Sequence, residues 1–506
     1  MLAISVFLQG IDNRVLIVIH LLTYKIIMLF TKQILQMKPK LIIFIFLISS
    51  AVNNGSVLKA EIILPAIFND NMVLQQKTDA PVWGRATPGN IVEITTSWDN
   101  NTYRIRANEK GNWKTAVKTP SAGGPYEIII SDGKELKLSN VLIGEVWICS
   151  GQSNMAMPMK GYRNEPVIGS NEAIASSSNK YIRLFTVSPD KSLEPLDDLT
   201  GEWLECLPEN VAEFSATAYF FGSMIQEVLG VPVGLICSSW GGTRIEPWIS
   251  KEGLKRFDWI TLPDKNQTGD FSHQLPTVLF NAMIKPLTGF SVRGALWYQG
   301  ESNRHDPFRY TELMPGLIEN WRSESGIDKM PFYYVQIAPF DYGTKGLNSA
   351  FLREAQLKAS TALPNTGMAS LMDAGEKDCI HPANKRVAGE RLAYLALART
   401  YGKNGFACSG PVLNNMIIEG NMIKLTFDHA ENGLTTFGKD LVNFKIAGNN
   451  KRFYQAIAFI TREGITLFAP QVAKPVAVRY AFDDYVMGEL YNVEGLPASS
   501  FRTDDW

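Results

Sequence analysis

The sequence predicts an α/β protein: a three-layer α/β/α unit built on a parallel sheet, flanked by an N-terminal β-sandwich and a C-terminal β-rich region. Three observations carry this. Short alternating runs broken by turn residues fill Ile62 to about Leu138; after Val141 apolar runs alternate with longer segments of helical period; beyond residue 404 the short alternating runs return. At 506 residues the chain exceeds one ordinary core, given about 100 to 200 residues per domain. The pattern divides it into a leader at 1–60, a β-sandwich at 61–140, the α/β unit at 141–404 and a β-rich domain at 405–506.

The leader has the order of an export signal. Met37-Lys38-Pro39-Lys40, the apolar run Leu41 to Ile48, then Ser49, Ser50 and Ala51 supply charge, greasy stretch and small residues in turn. This expects export to periplasm or medium, cleavage between Ala51 and Ala60, and Met37 as the alternative start. An earlier apolar stretch is interrupted by His20 and Lys25 and is short for a membrane span of about 20 residues, so the mature chain is expected to carry no membrane span. No cysteine precedes Cys149, which leaves no residue for lipid attachment near the cleavage point.

The flanks and the centre follow from their periods. "APVWGRATPGNIVEITTSW", "YRIRANEKGNWKTAVKT" and "GPYEIIISDGKELKL" are strands at short spacing with Gly, Pro, Asn and Asp between them. In the centre, "EVWICS", "VGLICSSW", "VRGALWYQG", "PFYYVQIAPF" and "GMASLMDAG" are strands, separated by the helices "SATAYFFGSMIQEVLG", "YTELMPGLIENWRSE" and "FLREAQLKASTAL". Right-handed crossovers put such helices on both faces of a parallel sheet, and ligands then bind at the carboxyl ends of the strands. A last helix is expected within "HPANKRVAGERLAYLALARTYG", with Pro382 in its first turn and Gly402 at its stop. The C-terminal region repeats the β pattern.

Composition narrows the function. Forty-nine Lys plus Arg against fifty Asp plus Glu give a formal net charge of -1, so no basic field draws nucleic acid. Eleven Trp and seventeen Tyr suit a protein that stacks rings against sugars. Cys149, Cys206, Cys237, Cys379 and Cys408 are odd in number and lack CxxC spacing, so neither a zinc site nor a disulfide framework is indicated. Cys149 and Cys237 each end an apolar run and are expected as buried thiols.

The strand-end loops carry the chemistry. The first gives Gly151-Gln152-Ser153-Asn154, the second Trp240-Gly241-Gly242-Thr243-Arg244, the third Gln299-Gly300-Glu301-Ser302-Asn303, and the fifth Asp373, Glu376, Asp378 and His381. These are the parts of acyl transfer. A serine hydroxyl needs a base to take its proton, and the base needs a third group to hold its tautomer. His381 is the candidate base for Ser153, because Asp378 stands three residues before it; Asp373 and Glu376 compete for the acid. Ser153 also suits a plain turn or helix cap, and Gly241-Gly242 a tight turn. As oxyanion donors we expect the N–H groups of Ser153 and of Gly241 or Gly242, completed by the amide of Gln299 or Asn303.

Taken together, "GEVWICSGQSNMAMPM", "SSWGGTRIEPW", "ALWYQGESN" and "DCIHP" resemble the sialate O-acetylesterase family, a branch of the SGNH (GDSL-like) hydrolases. The resemblance runs from "LPAIFNDNMVLQQ" to "GLPASSFRTDDW". It implies an SGNH-type serine esterase that removes acetyl groups from sugar hydroxyls without metal or cofactor, with Ser153 as nucleophile, His381 as base and Asp378 as its orienter. Gln299-Gly300-Glu301 stands where many relatives have Gly-x-Asn-Asp, which leaves the amide donor open between Gln299 and Asn303.

The expected substrate is an O-acetylated sugar or glycan, foremost an O-acetylated sialic acid, hydrolysed through an acetyl-serine intermediate. Gln152, Asn154, Arg244 and Glu301 are the candidate substrate contacts, Arg244 because a guanidinium holds a carboxylate bidentately, although it equally suits a pair with Glu246 or Glu301. Acetylated xylan is the alternative substrate, and a non-catalytic carbohydrate-binding surface protein the alternative class.

Overall fold

The computed structural model describes Lys25 and residues 61–506, apart from 265, 267–268 and 344–346. The expected leader, its cleavage region and the start at Met37 therefore lie outside the described residues, Lys25 excepted. Among the described residues no helix is long and apolar enough to cross a membrane. Residues 61–506 form one compact unit.

Its axis is a seven-strand sheet: β1 (Glu135–Gly151), β2 (Asn179–Thr186), β3 (Trp203–Cys206), β4 (Val233–Ser239), β5 (Gly294–Tyr298), β6 (Phe332–Val335) and β7 (Thr366–Ala369). They lie in the order β7-β6-β5-β1-β4-β2-β3. Every pairing is parallel except β2 with β3. Chain order reverses on either side of β1, so the loops leaving β1, β4 and β5 open beside one another, the usual place for a ligand in such sheets.

Alternation along β1 explains the layers. Trp147 and Cys149 face the core shared with α2 (Ala216–Leu229) and α5 (Lys385–Leu395). Val146 and Ile148 face the core shared with α3 (Pro307–Ser325) and α4 (Ala350–Ala362). A strand buried on both faces must be apolar throughout, as "VWIC" is. Cys149 and Cys237 are buried free thiols, and burial pushes both well above the ordinary thiol range.

β1 is seventeen residues long and belongs to two layers of structure at once. Its first half pairs antiparallel with the strand Gly123–Ser131, and Leu142 to Gly144 pair in parallel with Val73–Gln75. The division expected at 140/141 thus falls inside one continuous strand, and the N-terminal strands lead into the central sheet without a linker. Ile91–Thr96 pairs with Gly123–Ser131 and with Thr102–Arg106, and a separate pair, Asp79–Arg85 with Asn112–Lys118, completes the N-terminal β region.

The C-terminal strands form two antiparallel four-stranded sheets and a two-stranded pair, Leu434–Thr435 with Tyr491–Asn492, around their own core, which includes Ile423, Phe444, Leu467 and Tyr480. They are tied to the α/β unit by buried polar contacts, among them Gln336 Nε2 donating to Ser499 Oγ at 2.7 Å. The last helix departs from expectation: it starts at Lys385 with Asn384 as cap, so Pro382 precedes it. Gly402 does follow its end, at φ 65°.

Candidate active site

The site begins where β1 stops. Gly151 has φ 137°, and a Cβ there would lie 2.1 Å from the carbonyl oxygen of Tyr298 on β5, so only glycine turns the chain at this point. Gln152 is extended and donates its N–H to the same carbonyl at 2.9 Å. A short helix, α1 (Ser153–Ala156), starts at once and sets Ser153 at its first position. The N–H groups of Met155 and Ala156 both return to Gln152 O, which leaves the Ser153 N–H outside the turn's own hydrogen bonds.

His381 arrives from the irregular segment between β7 and α5. Its Nε2 lies 2.8 Å from Ser153 Oγ, across 228 residues of sequence. Its Nδ1 lies 2.8 Å from Oε2 of Glu165. The imidazole side chain is 17% exposed and the Glu165 side chain 31%, so the pair is shielded yet reachable. Tyr162 packs edge-on against the imidazole at 5.5 Å and donates its hydroxyl to Ser153 O at 3.4 Å. Burial and the neighbouring Cys237 and Glu165 push that phenol up to about 12.

Glu165 was not among the residues the sequence singled out. It is set by a tight turn in which Tyr162 and Glu165 exchange both backbone hydrogen bonds, with Asn164 at φ 66°. Asp378, expected in this role, is exposed and makes no hydrogen bond to His381. Its segment is held the other way round: Glu376 accepts the Ala383 N–H at 2.6 Å and Cys379 Sγ contacts His381 O at 3.2 Å, while residue 378 faces solvent. The other rival, Asp373, is spent in a bidentate pair with Arg391 at 2.7 Å.

Gly241 lies over the serine: a Cβ on it would stand 3.4 Å from Ser153 Cβ and 3.9 Å from Ser153 N. Gly242 takes φ 72°, and its carbonyl accepts from Gln274 Nε2. Beside them Trp240 stacks on His273 with centroids 4.8 Å apart, and burial lowers the His273 pKa. The expected amide donors are not available to an oxyanion. Gln299 Nε2 donates to Thr243 O at 3.0 Å and Asn303 Oδ1 at 2.7 Å, and its Oε1 accepts from Tyr310. Asn303 Nδ2 donates to Glu246 at 3.0 Å, and its Oδ1 also accepts from Ile245 N. Both amides are buried and brace the neighbouring loops.

Of the four expected substrate contacts, only Arg244 has an open side chain, 43% exposed, with Nη1 a loose 4.0 Å from Glu246 Oε1. It lines a cavity of about 220 Å³ with Glu246, Trp259, Gln274, Asp306 and Arg309. Gln152 is buried, its Oε1 taking long 3.4 Å bonds from the N–H groups of Gly300 and Ser302. Asn154 and Glu301 are also buried and belong to the frame: Asn154 Nδ2 donates to Glu301 Oε1 at 2.6 Å, and Lys385 Nζ donates to Asn154 Oδ1 at 2.5 Å. Sequence reading missed Lys385, a cation at a helix start where the dipole disfavours it.

Burial raises the Glu301 carboxyl and lowers the Lys385 amine to about 7, partly offset by the carboxylates around it. The lysine has a stability signature of fixed sign. Between about 7 and its unfolded value of 10.5 the unfolded chain binds the proton that the folded chain has released, so stability rises with pH across that window. Urea unfolding at several pH values between 7 and 10 should give a steeper rise for wild type than for Lys385→Met.

A serine, an imidazole and a carboxylate in hydrogen-bonded series, with Gly241 packed against the serine, are suited to acyl transfer. Residues 143–398 match the family described as carbohydrate esterase, sialic acid-specific acetylesterase. The chain is 32% identical to the sialate O-acetylesterase of Pongo abelii over 86% of its length and 91% of the relative's. It is 32% identical to the human sialate O-acetylesterase over 71% of its length and 75% of the relative's. A crystal structure of a carbohydrate acetylesterase from Xanthomonas citri superposes with a TM-score of 0.81 at 36% identity, covering 88% of this chain and all of that one.

The protein is a carboxylic ester hydrolase whose substrates are O-acetylated sugars. The chain belongs to the sialate O-acetylesterase family.

Proposed function

We propose that the protein removes acetyl groups from O-acetylated sialic acids through an acetyl-serine intermediate, with Ser153 as nucleophile, His381 as general base and acid, and Glu165 as the group that orients the imidazole. The observation that carries this is the unbroken series Ser153 Oγ, His381 Nε2, His381 Nδ1 and Glu165 Oε2, each contact 2.8 Å. Ser153 Oγ adds to the acetyl carbonyl as its proton passes to Nε2, and Glu165 holds the proton on Nδ1 and steadies the imidazolium. In this reading the N–H groups of Ser153 and of Gly241 or Gly242 receive the carbonyl oxygen as it becomes anionic, where each donor is worth roughly a hundredfold to a thousandfold; the close packing of Gly241 on Ser153 supports it. The C–O bond to the sugar breaks, the sugar oxygen takes the proton from Nε2, and water activated by the same nitrogen then releases acetate.

Sialic acid differs from neutral acetylated sugars by its carboxylate, and Arg244 is the exposed cation on the glycine loop that could pair with it. A neutral sugar such as acetylated xylan is the second reading, favoured by Glu246, which already offers Arg244 a carboxylate. Acetate release from O-acetylated sialic acid and from acetylated xylan separates the two. We expect Arg244→Ala to raise KM for the sialic acid about tenfold or more, the scale of a lost charge-assisted hydrogen bond, and to leave xylan unaffected. Preference for xylan with Arg244→Ala silent on both substrates would replace the sialic acid reading. The order of residues 37–51 further supports export, which fractionation of a producing cell would test.

A further inference from the structure

We propose that Lys385, Asn154 and Glu301 form a positioning network that fastens the backbone on both sides of His381 to the residue following Ser153, and so sets the contact between nucleophile and base. It rests on the reading of Ser153 and His381 given above.

The connections are short and converge on one amide. Asn154 Nδ2 donates to Ile380 O at 3.1 Å, the carbonyl just before His381. Lys385 Nζ donates to Pro382 O at 2.9 Å, the carbonyl just after it, and to Asn154 Oδ1 at 2.5 Å. The remaining bond runs from Asn154 Nδ2 to Glu301 Oε1 at 2.6 Å, on the loop after β5. Three strand-end loops thus meet at the Asn154 side chain, and the backbone of Asn154 is itself fixed by Thr217 Oγ1 on α2 at 3.1 Å.

The network carries a desolvation cost that an apolar cluster of the same size would not. Lys385 is 1% exposed and sits at the first position of α5, where a cation opposes the helix dipole. Glu301 is 7% exposed, and among the described residues its Oε2 has no hydrogen-bond partner. Replacing buried ionic groups with apolar ones of similar volume is often neutral or stabilising, so their presence is weak evidence for a role in stability and is consistent with a role in positioning. What they specify here is the His381 main chain, whose other anchors are the Cys379 thiol on its own carbonyl and Glu376 on Ala383 N. A misplacement of about 1 Å between reacting groups costs on the order of a hundredfold in rate, which is the scale at stake.

The test measures kcat and KM for acetate release by Lys385→Met, Glu301→Gln and the double variant, with melting temperature to establish folding and Ser153→Ala as control. Lys385→Met keeps the stem and removes the donors; it should lose about a hundredfold in kcat with KM little changed. Glu301→Gln keeps an acceptor for Asn154 and should lose about tenfold, again in kcat. The double variant should lose less than the product of the two, because the groups act as a unit. Labelling of Ser153 by a serine-reactive phosphonate should slow in parallel. A folded Lys385→Met with wild-type kcat, or losses confined to KM, would overturn the proposal. Should Lys385→Met not fold, Glu301→Gln decides alone: wild-type kcat there sinks the network. Activity in Ser153→Ala is a separate result, which removes the parent reading instead.

Discussion

Ser153→Ala is expected to lower kcat for acetate release by about a millionfold, the scale for loss of a serine nucleophile, while substrate binding persists. Ser153 Oγ is the atom His381 Nε2 addresses, and no other hydroxyl of the described residues stands at that nitrogen. The variant should fold as wild type, because the bonds that shape the turn run from Gln152, Met155 and Ala156 backbone groups and do not involve Oγ. Steady-state release and binding of the acetylated sugar, measured side by side, separate lost chemistry from lost affinity.

The second large effect distinguishes two carboxylates. Glu165→Gln should lower kcat about ten-thousandfold, because an amide donor facing Nδ1 drives the ring proton to Nε2, where it cannot accept from Ser153. Asp378→Asn should leave the rate near wild type, since Asp378 is exposed and makes no hydrogen bond to His381. The reverse result, a silent Glu165→Gln with a crippled Asp378→Asn, would restore the acid that the Asp-x-x-His spacing suggests.

That contrast marks where the sequence is informative. The parallel strands β1, β4, β5, β6 and β7 are legible because each contains a short, largely apolar run, and parallel topology then gathers their loops at one rim. Ser153, Gly241 and His381 follow from this, and the structure brings all three together. β2 and β3 were not anticipated: β2 mixes charged residues such as Lys180 and Arg183 into its pattern, and β3 has four residues.

Glu165 was hidden for a physical reason. Spacing along the chain predicts contacts only within regular elements, and this carboxylate sits in an irregular loop, delivered by a turn that Gly161 and Asn164 make at positive φ. The turn residues are visible in "GYRNEP", but nothing local says which way the glutamate points. The same limit misassigned the polar residues of the third loop. Gln299 and Asn303 look like oxyanion donors by type and Glu301 like a substrate ligand, yet each is buried among acceptors and donors from other loops, and three-dimensional satisfaction decides their role.

The central claim is that acetyl transfer passes through Ser153. The measurement that addresses it most directly is peptide mass spectrometry of enzyme quenched in acid during turnover of an O-acetylated sugar. The account predicts an acetyl group on the peptide containing Ser153, at Ser153 itself, and none on that peptide from Ser153→Ala. Acetate release that continues at the wild-type rate in Ser153→Ala, with the acetyl group found on another residue or on none, would contradict it.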